Sequence, residues 1–173
     1  MSWFVVDCEA DGPCPGLYSM ICFGAVRVDR GLQKTFYGNI AKLPGSRDSI
    51  PEAFRVSGIS QYQWSTFPDP VTVMRAFRDW VFRENGRERP IFASDNLAFD
   101  WQWINYYFAL SGIPNPFGHS GRRIGDLFCG AAGATNASWK HLRKTKHTHD
   151  PVADAKGNAE ALVALSEKVG GIL

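Results

Sequence analysis

The sequence predicts a single α/β domain: a mixed five-stranded sheet, an antiparallel meander continued by parallel strands, with helices on its faces. Two observations carry this. Three β-type runs crowd the first part of the chain with only short turns between them, and beyond residue 69 strand-like runs alternate with helical ones. The 173 residues, 45% hydrophobic and 13% aromatic, suit one packed core over 1–173, and no linker, repeat or low-complexity segment divides them.

The first strand is the apolar run Trp3 to Glu9, closed by the turn-forming stretch Asp11-Gly12-Pro13-Cys14-Pro15-Gly16. Ser19 to Val28 and Lys34 to Ile40 are the next two strands, separated by Asp29-Arg30-Gly31. Residues 41–69 give little periodicity: a short helix is expected around Pro51 to Ser57, and Tyr62, Trp64 and Phe67 read as exposed aromatics. Asp69 then caps a helix with Pro70 at its first position and Val73, Phe77, Trp80 and Val81 on its apolar face, stopped by Asn85-Gly86.

Pro90 to Ser94 reads as a buried strand, leading through Asp95-Asn96 into a helix from Leu97 to Leu110 that Gly112 and Pro114 end. Pro116 to Arg123 reads as a loop, Ile124 to Leu127 as the last strand, Leu127 to Ala132 as a helical turn, and Ser138 to Lys146 as a basic helix or loop. Asp150 is a strong N-cap residue and Pro151 fits the first position of a final helix to Val169.

Net charge of +2 neither demands nor excludes a polyanionic partner. No apolar run has the length to span a bilayer and no secretory leader is recognisable, so a cytoplasmic protein without membrane partners is expected. Cys8, Cys14, Cys22 and Cys129 form no C-x-x-C pair and are expected to be free thiols.

The chemistry gathers at the ends of these elements. Asp7 and Glu9 leave the same face of the first strand, roughly 6 to 7 Å apart, close enough to share a cation. Asp100 lies just inside a helix that follows a strand. His149 precedes the final helix's cap and Asp154 occupies its first turn, positions that the geometry of a helix start brings to one side. Taken singly, each is better explained by an ordinary solvated strand end, loop histidine or helix-start acid; together they point to one site.

The set D-C-E (Asp7 to Glu9), N-L-A-F-D (Asn96 to Asp100) and H-D-P-V-A-D-A (His149 to Ala155) resembles the three motifs of the DEDDh exonucleases, a family that includes polymerase proofreading subunits, ribonuclease T and oligoribonuclease. The resemblance spans nearly the whole chain and implies a ribonuclease H-like fold. It departs at Ala10, where the family often has Thr, and at Asp95, where it often has His.

By that resemblance the protein hydrolyses nucleotides from single-stranded 3′ ends with two divalent cations, Mg²⁺ or Mn²⁺, about 3.5 to 4 Å apart. Asp7 would bridge the ions, Glu9 and Asp154 would hold the one beside the attacking water, Asp100 would support the other, and His149 would be the general base. Ala10 and Asn96 would face the terminal nucleotide.

Stacking surfaces for bases are sought in Phe99, Trp103 and Tyr107, for which core packing is the competing role. Lys140, Arg143, Lys144 and Lys146 are placed to hold the phosphate backbone. RNA or short oligonucleotides are favoured as substrate because the chain is a minimal exonuclease domain. The alternatives are a DNA exonuclease or a non-catalytic nucleic-acid-binding module, and a homodimer is possible by analogy with stand-alone members of the family.

Overall fold

The computed structural model describes residues 1–171, so the last two residues of the expected domain lie outside it. Among the described residues, five strands form one sheet in the order β3-β2-β1-β4-β5. β1 (Ser2–Ala10) is central, antiparallel to β2 (Met20–Arg27) and parallel to β4 (Pro90–Ser94). β3 (Thr35–Asn39) and β5 (Gly121–Arg123) are the edges, antiparallel to β2 and parallel to β4 respectively.

Alternation along β1 sorts its side chains into two cores. Phe4, Val6 and Cys8 pack under α3 (Pro70–Asn85) and α4 (Leu97–Leu110), and Trp3 and Val5 pack against α6 (Pro151–Lys168). The expected caps are present: Asp69 accepts from Thr72 N at 3.0 Å, and Asp150 accepts from Ala153 N at 2.8 Å. Among the described residues no helix is long and apolar enough to cross a membrane, and the four cysteines are free.

Two expectations are corrected. The last strand is Gly121–Arg123, and Ile124 instead opens α5 (Ile124–Ala132). Ile124 with Leu127 and Phe128 follows helical, not alternating, spacing and covers the α6 core. The true strand has no apolar pattern, and Gly121 lies close under the Leu97 side chain, whose Cδ1 would be 2.5 Å from a Cβ placed there. Trp64 is the second correction: it is buried, donating its indole N–H to Ile40 O at 2.8 Å, while Tyr62 stays 80% exposed.

Residues 51–65 hold two short helices, α1 (Pro51–Val56) and α2 (Gln61–Ser65). Buried Asp11 fixes where α1 sits: its carboxylate accepts from Ser19 N at 2.6 Å and Ser49 Oγ at 2.9 Å, and its carbonyl accepts from Ile50 N at 2.9 Å. This tie brings α1 beside the end of β1, where pairing with β2 slips between Glu9 and Ala10.

Gly24 decides how closely α6 can approach. It lies across the ladder from Asp7, and a Cβ on it would meet the backbone of Pro151 and Val152 at 2.3 to 2.4 Å. Backbone cannot swing aside as a side chain can, so Gly24→Ala should force the first turn of α6 off the sheet. The expected cost is about 1 to 3 kcal/mol in denaturant unfolding, the range for overpacking. Unchanged stability would show that the contact is not close.

Candidate active site

Four carboxylates converge at the carboxyl end of β1. Asp7 and Glu9 are supplied by the strand itself. Asp100 arrives because α4 starts directly after the neighbouring parallel strand β4, and its Oδ1 accepts from Cys8 N, between the two acids, at 3.0 Å. Asp154 arrives in the first turn of α6 through the notch at Gly24. Carboxylate oxygens of Asp7, Glu9 and Asp154, one from each, all lie within 4.8 Å of one another, a group that could hold a metal ion.

The electrostatics of this cluster oppose ionisation. Burial, reinforced by Asp100, Glu9 and Asp154, raises the Asp7 carboxyl well above its ordinary range, with Arg143 only partly offsetting it. Burial and then Asp154 push Glu9 up to about 7. Asp100, buried with Asp95 and Glu9 nearby, is pushed up to about 8 despite the hydrogen bond from Cys8 N. Oxygen-only donors that resist ionising without a counter-charge fit hard divalent cations, which can displace the protons.

Asp154 is held on every side. Its Oδ1 accepts from Arg143 Nη2 at 3.0 Å and Thr148 N at 3.1 Å, and its Oδ2 accepts from His149 N at 2.8 Å and lies 2.8 Å from His147 Nδ1. The expected nearness of His149 and Asp154 is therefore a backbone contact, with the His149 ring turned to Glu9, Nδ1 to Oε1 3.5 Å. His149 has φ of 60°, a left-handed conformation that directs the ring there.

The 143–149 loop is fastened along one face of α6. Glu160 accepts from Lys144 N at 2.8 Å, Thr145 N at 2.7 Å and Thr145 Oγ1 at 2.9 Å. One turn earlier Gly157 leaves room for the Arg143 guanidinium, which a Cβ would meet at 2.6 Å. Arg143 is accordingly not a phosphate contact: it is turned inward, its side chain 9% exposed, as the partner of Asp154.

The other expected substrate contacts divide. Trp103 and Tyr107 are fully buried, and Tyr107 Oη accepts from Met20 N at 2.8 Å, so neither presents a face to a base; helical phase turns both into the α3–α4 core. Phe99 and Ala10 do line a groove of about 370 Å³, with Glu9, His149, Gly12, Pro13, Ile50, Ala53 and Val56. Asn96 is exposed at the start of α4 and its side chain caps nothing. Lys140 pairs with Asp95 at 3.0 Å, giving that family departure a partner; Lys144 lines a separate groove with Asp29, Arg30 and Glu160; Lys146 is exposed.

Sequence reasoning did not include His147 in the site, nor foresee that the short helix expected near Pro51 would wall a groove. The H-T-H spacing was a usable signal for the first. Nothing in residues 50–56 marks the second: Phe54 packs beside Trp64, while Ile50, Ala53 and Val56, which face the groove, carry no pattern that distinguishes them.

No family model matches the chain. A search of curated proteins finds the 3′-5′ DNA exonuclease Cap18 of Escherichia coli, 35% identical over 94% of this chain and 92% of that protein. Among solved structures, the nuclease domain of 3′hExo, a DEDDh family member bound to rAMP, superposes with a TM-score of 0.77 at 16% identity, covering 96% of this chain and 92% of that one. The chain belongs to the DEDDh 3′-5′ exonucleases. A zinc-bound E. coli ExoI complex with single-stranded DNA shares the fold at TM-score 0.65 and 20% identity, covering 96% of this chain and 40% of the larger one. Membership in this exonuclease family matches the sequence motifs and the ribonuclease H-like sheet.

Two outcomes follow for the exonuclease without metal. Folded Asp7, Glu9 and Asp100 hold protons that the unfolded chain releases in the ordinary carboxylate range, so stability should fall as pH rises from that range to about 8, and divalent cations should remove the fall. Thermal unfolding with chelator or Mn²⁺ across that window checks it; a rise in stability with pH would contradict it. Arg143→Ala should cost about 3 to 5 kcal/mol, the penalty for stranding one member of a buried ion pair, with part recovered on adding Mn²⁺.

Proposed function

We propose that the protein removes nucleotides from single-stranded 3′ ends, with DNA the favoured substrate, using two divalent cations, Mg²⁺ or Mn²⁺. The observation that supports it best is the convergence of four carboxylates on one end of β1, three of them, Asp7, Glu9 and Asp100, with raised pKa, beside a histidine ring and an apolar groove. Asp7 would touch both ions, Glu9 and Asp154 the one on the nucleophile side, and Asp100 the other. Bound there, the cations supply an activated attacking water and neutralise charge that builds on the phosphate.

His149, whose ring is at the rim beside Glu9, takes the proton from the attacking water. The terminal base enters the groove walled by Ala10, Pro13, Ile50, Ala53, Val56 and Phe99. Those apolar walls offer contact and stacking but no pattern of donors and acceptors, so any of the four bases is accepted. Asn96 and the exposed Lys140 and Lys146 would meet sugar and phosphate.

The RNA preference expected from the sequence rested on chain size alone. The 35% identical relative carries the name of a DNA exonuclease, which favours DNA here. A non-catalytic binding module is disfavoured, because such a protein has no use for carboxylates that repel one another.

Oligomers of DNA and RNA labelled at the 3′ or 5′ end, incubated with Mg²⁺, Mn²⁺ or chelator, test the reading. Stepwise shortening from the 3′ end that chelator stops is expected. Asp7→Asn and His149→Ala should slow it by roughly 10²-fold or more, the contribution of a general base or larger. Shortening from the 5′ end, or full activity in both variants, would overturn it.

A further inference from the structure

His147 takes no part in the mechanism above, yet it sits against the site. Its Nδ1 is 2.8 Å from Asp154 Oδ2, and its ring meets that of His149 edge-on, centroids 4.4 Å apart and planes at 63°. One donor atom from each of His147, His149 and Asp154 lies within 4.8 Å of the other two. This set shares only Asp154 with the oxygen-lined set of Asp7, Glu9 and Asp154.

The two sets differ in the ions they suit. Carboxylates alone favour hard Mg²⁺, whereas two imidazoles with one carboxylate favour a borderline transition ion, of which Zn²⁺ is the most common protein-bound example. Asp154 is buried, its side chain 1% exposed, and forms the floor; His147 and His149 are 52% and 46% exposed and leave an open side for water.

The donors are already ordered. Glu160 grips Lys144 and Thr145, the amides of Thr148 and His149 are fixed on Asp154, and the His149 ring, beside Glu9, also lies edge-on against that of His147. An ion between His147 Nδ1 and Asp154 Oδ2, at about 2.0 to 2.2 Å from each, requires those atoms to part only slightly. Little ordering cost then opposes binding.

We propose that His147, His149 and Asp154 form a second cation site, suited to Zn²⁺, that overlaps the oxygen-lined site and turns the exonuclease off when filled. The binding half stands on geometry alone; the inhibitory half rests on the proposed roles of His149 as base and Asp154 as ligand. An ion held by both residues denies the attacking water its base.

The test is calorimetric titration of the metal-free full chain with Zn²⁺ in excess Mg²⁺, with visible absorption of added Co²⁺ as a report of nitrogen ligation. One Zn²⁺ per chain is expected. His147→Ala should weaken it by at least about tenfold, a loss that even outer-shell partners of a metal can cause, whereas Asp7→Asn, outside this set, should keep it. In exonuclease assays with Mg²⁺, each variant referred to its own rate without zinc, the Zn²⁺ concentration that halves the rate should rise by a similar factor in His147→Ala. Absence of Zn²⁺ binding, or wild-type binding by His147→Ala, overturns the site. Binding that leaves the rate untouched overturns the switch. Failure of the exonuclease reading itself would leave the calorimetry intact, so the two are separable.

Discussion

Mutual repulsion among Asp7, Glu9, Asp100 and Asp154 is the constraint around which the molecule is arranged. Three pieces of chain, β1, α4 and α6, bring them to the end of β1, and each acid is partly or wholly removed from water, so the metal-free cluster can exist only by holding protons or borrowing positive charge. Arg143 supplies some of that charge to Asp154 and Asp7. Divalent cations would supply the rest, which is why burial that looks costly in the isolated chain becomes useful in the working site.

The scaffold answers this constraint with fixed backbone. Gly24 admits α6 to the face of the sheet beside Asp7, and α6 in turn carries Asp154, Gly157 and Glu160 along one face, spaced about a turn apart. Those residues receive the 143–149 loop at successive points, so the histidines and Arg143 are placed by the same helix that supplies a carboxylate. Across the site, Asp11 ties α1 to the end of β1 and creates a groove beside Glu9. Metal ligands, base and groove thus depend on the ends of β1, α4 and α6 remaining in register.

Much of this was legible in the sequence, for identifiable reasons. Strands β1, β2 and β4 are apolar runs bounded by turn residues, and α3, α4 and α6 begin with Asp69, Asn96 and Asp150 before clear helical patterning. The clustering of Asp7, Glu9, Asp100, His149 and Asp154 was legible because each lies at an element end. What escaped lacked such a signal. The triplet of β5 has no apolar pattern, and α1, though expected as a short helix, fully buries no residue that would mark it as a groove wall. Trp103, Tyr107 and Arg143 were read by residue type as nucleic-acid contacts, but helical phase and the notch at Gly157 turn them inward.

The central claim is that Asp7 joins two cations into one site. Counting bound Mn²⁺ by electron paramagnetic resonance during titration of the wild-type chain and of Asp7→Asn tests it most directly. The account predicts two ions on the wild type and, with the shared ligand weakened, loss of affinity for both in Asp7→Asn. Two ions bound by Asp7→Asn with wild-type affinity, or a single ion on the wild type, would contradict it.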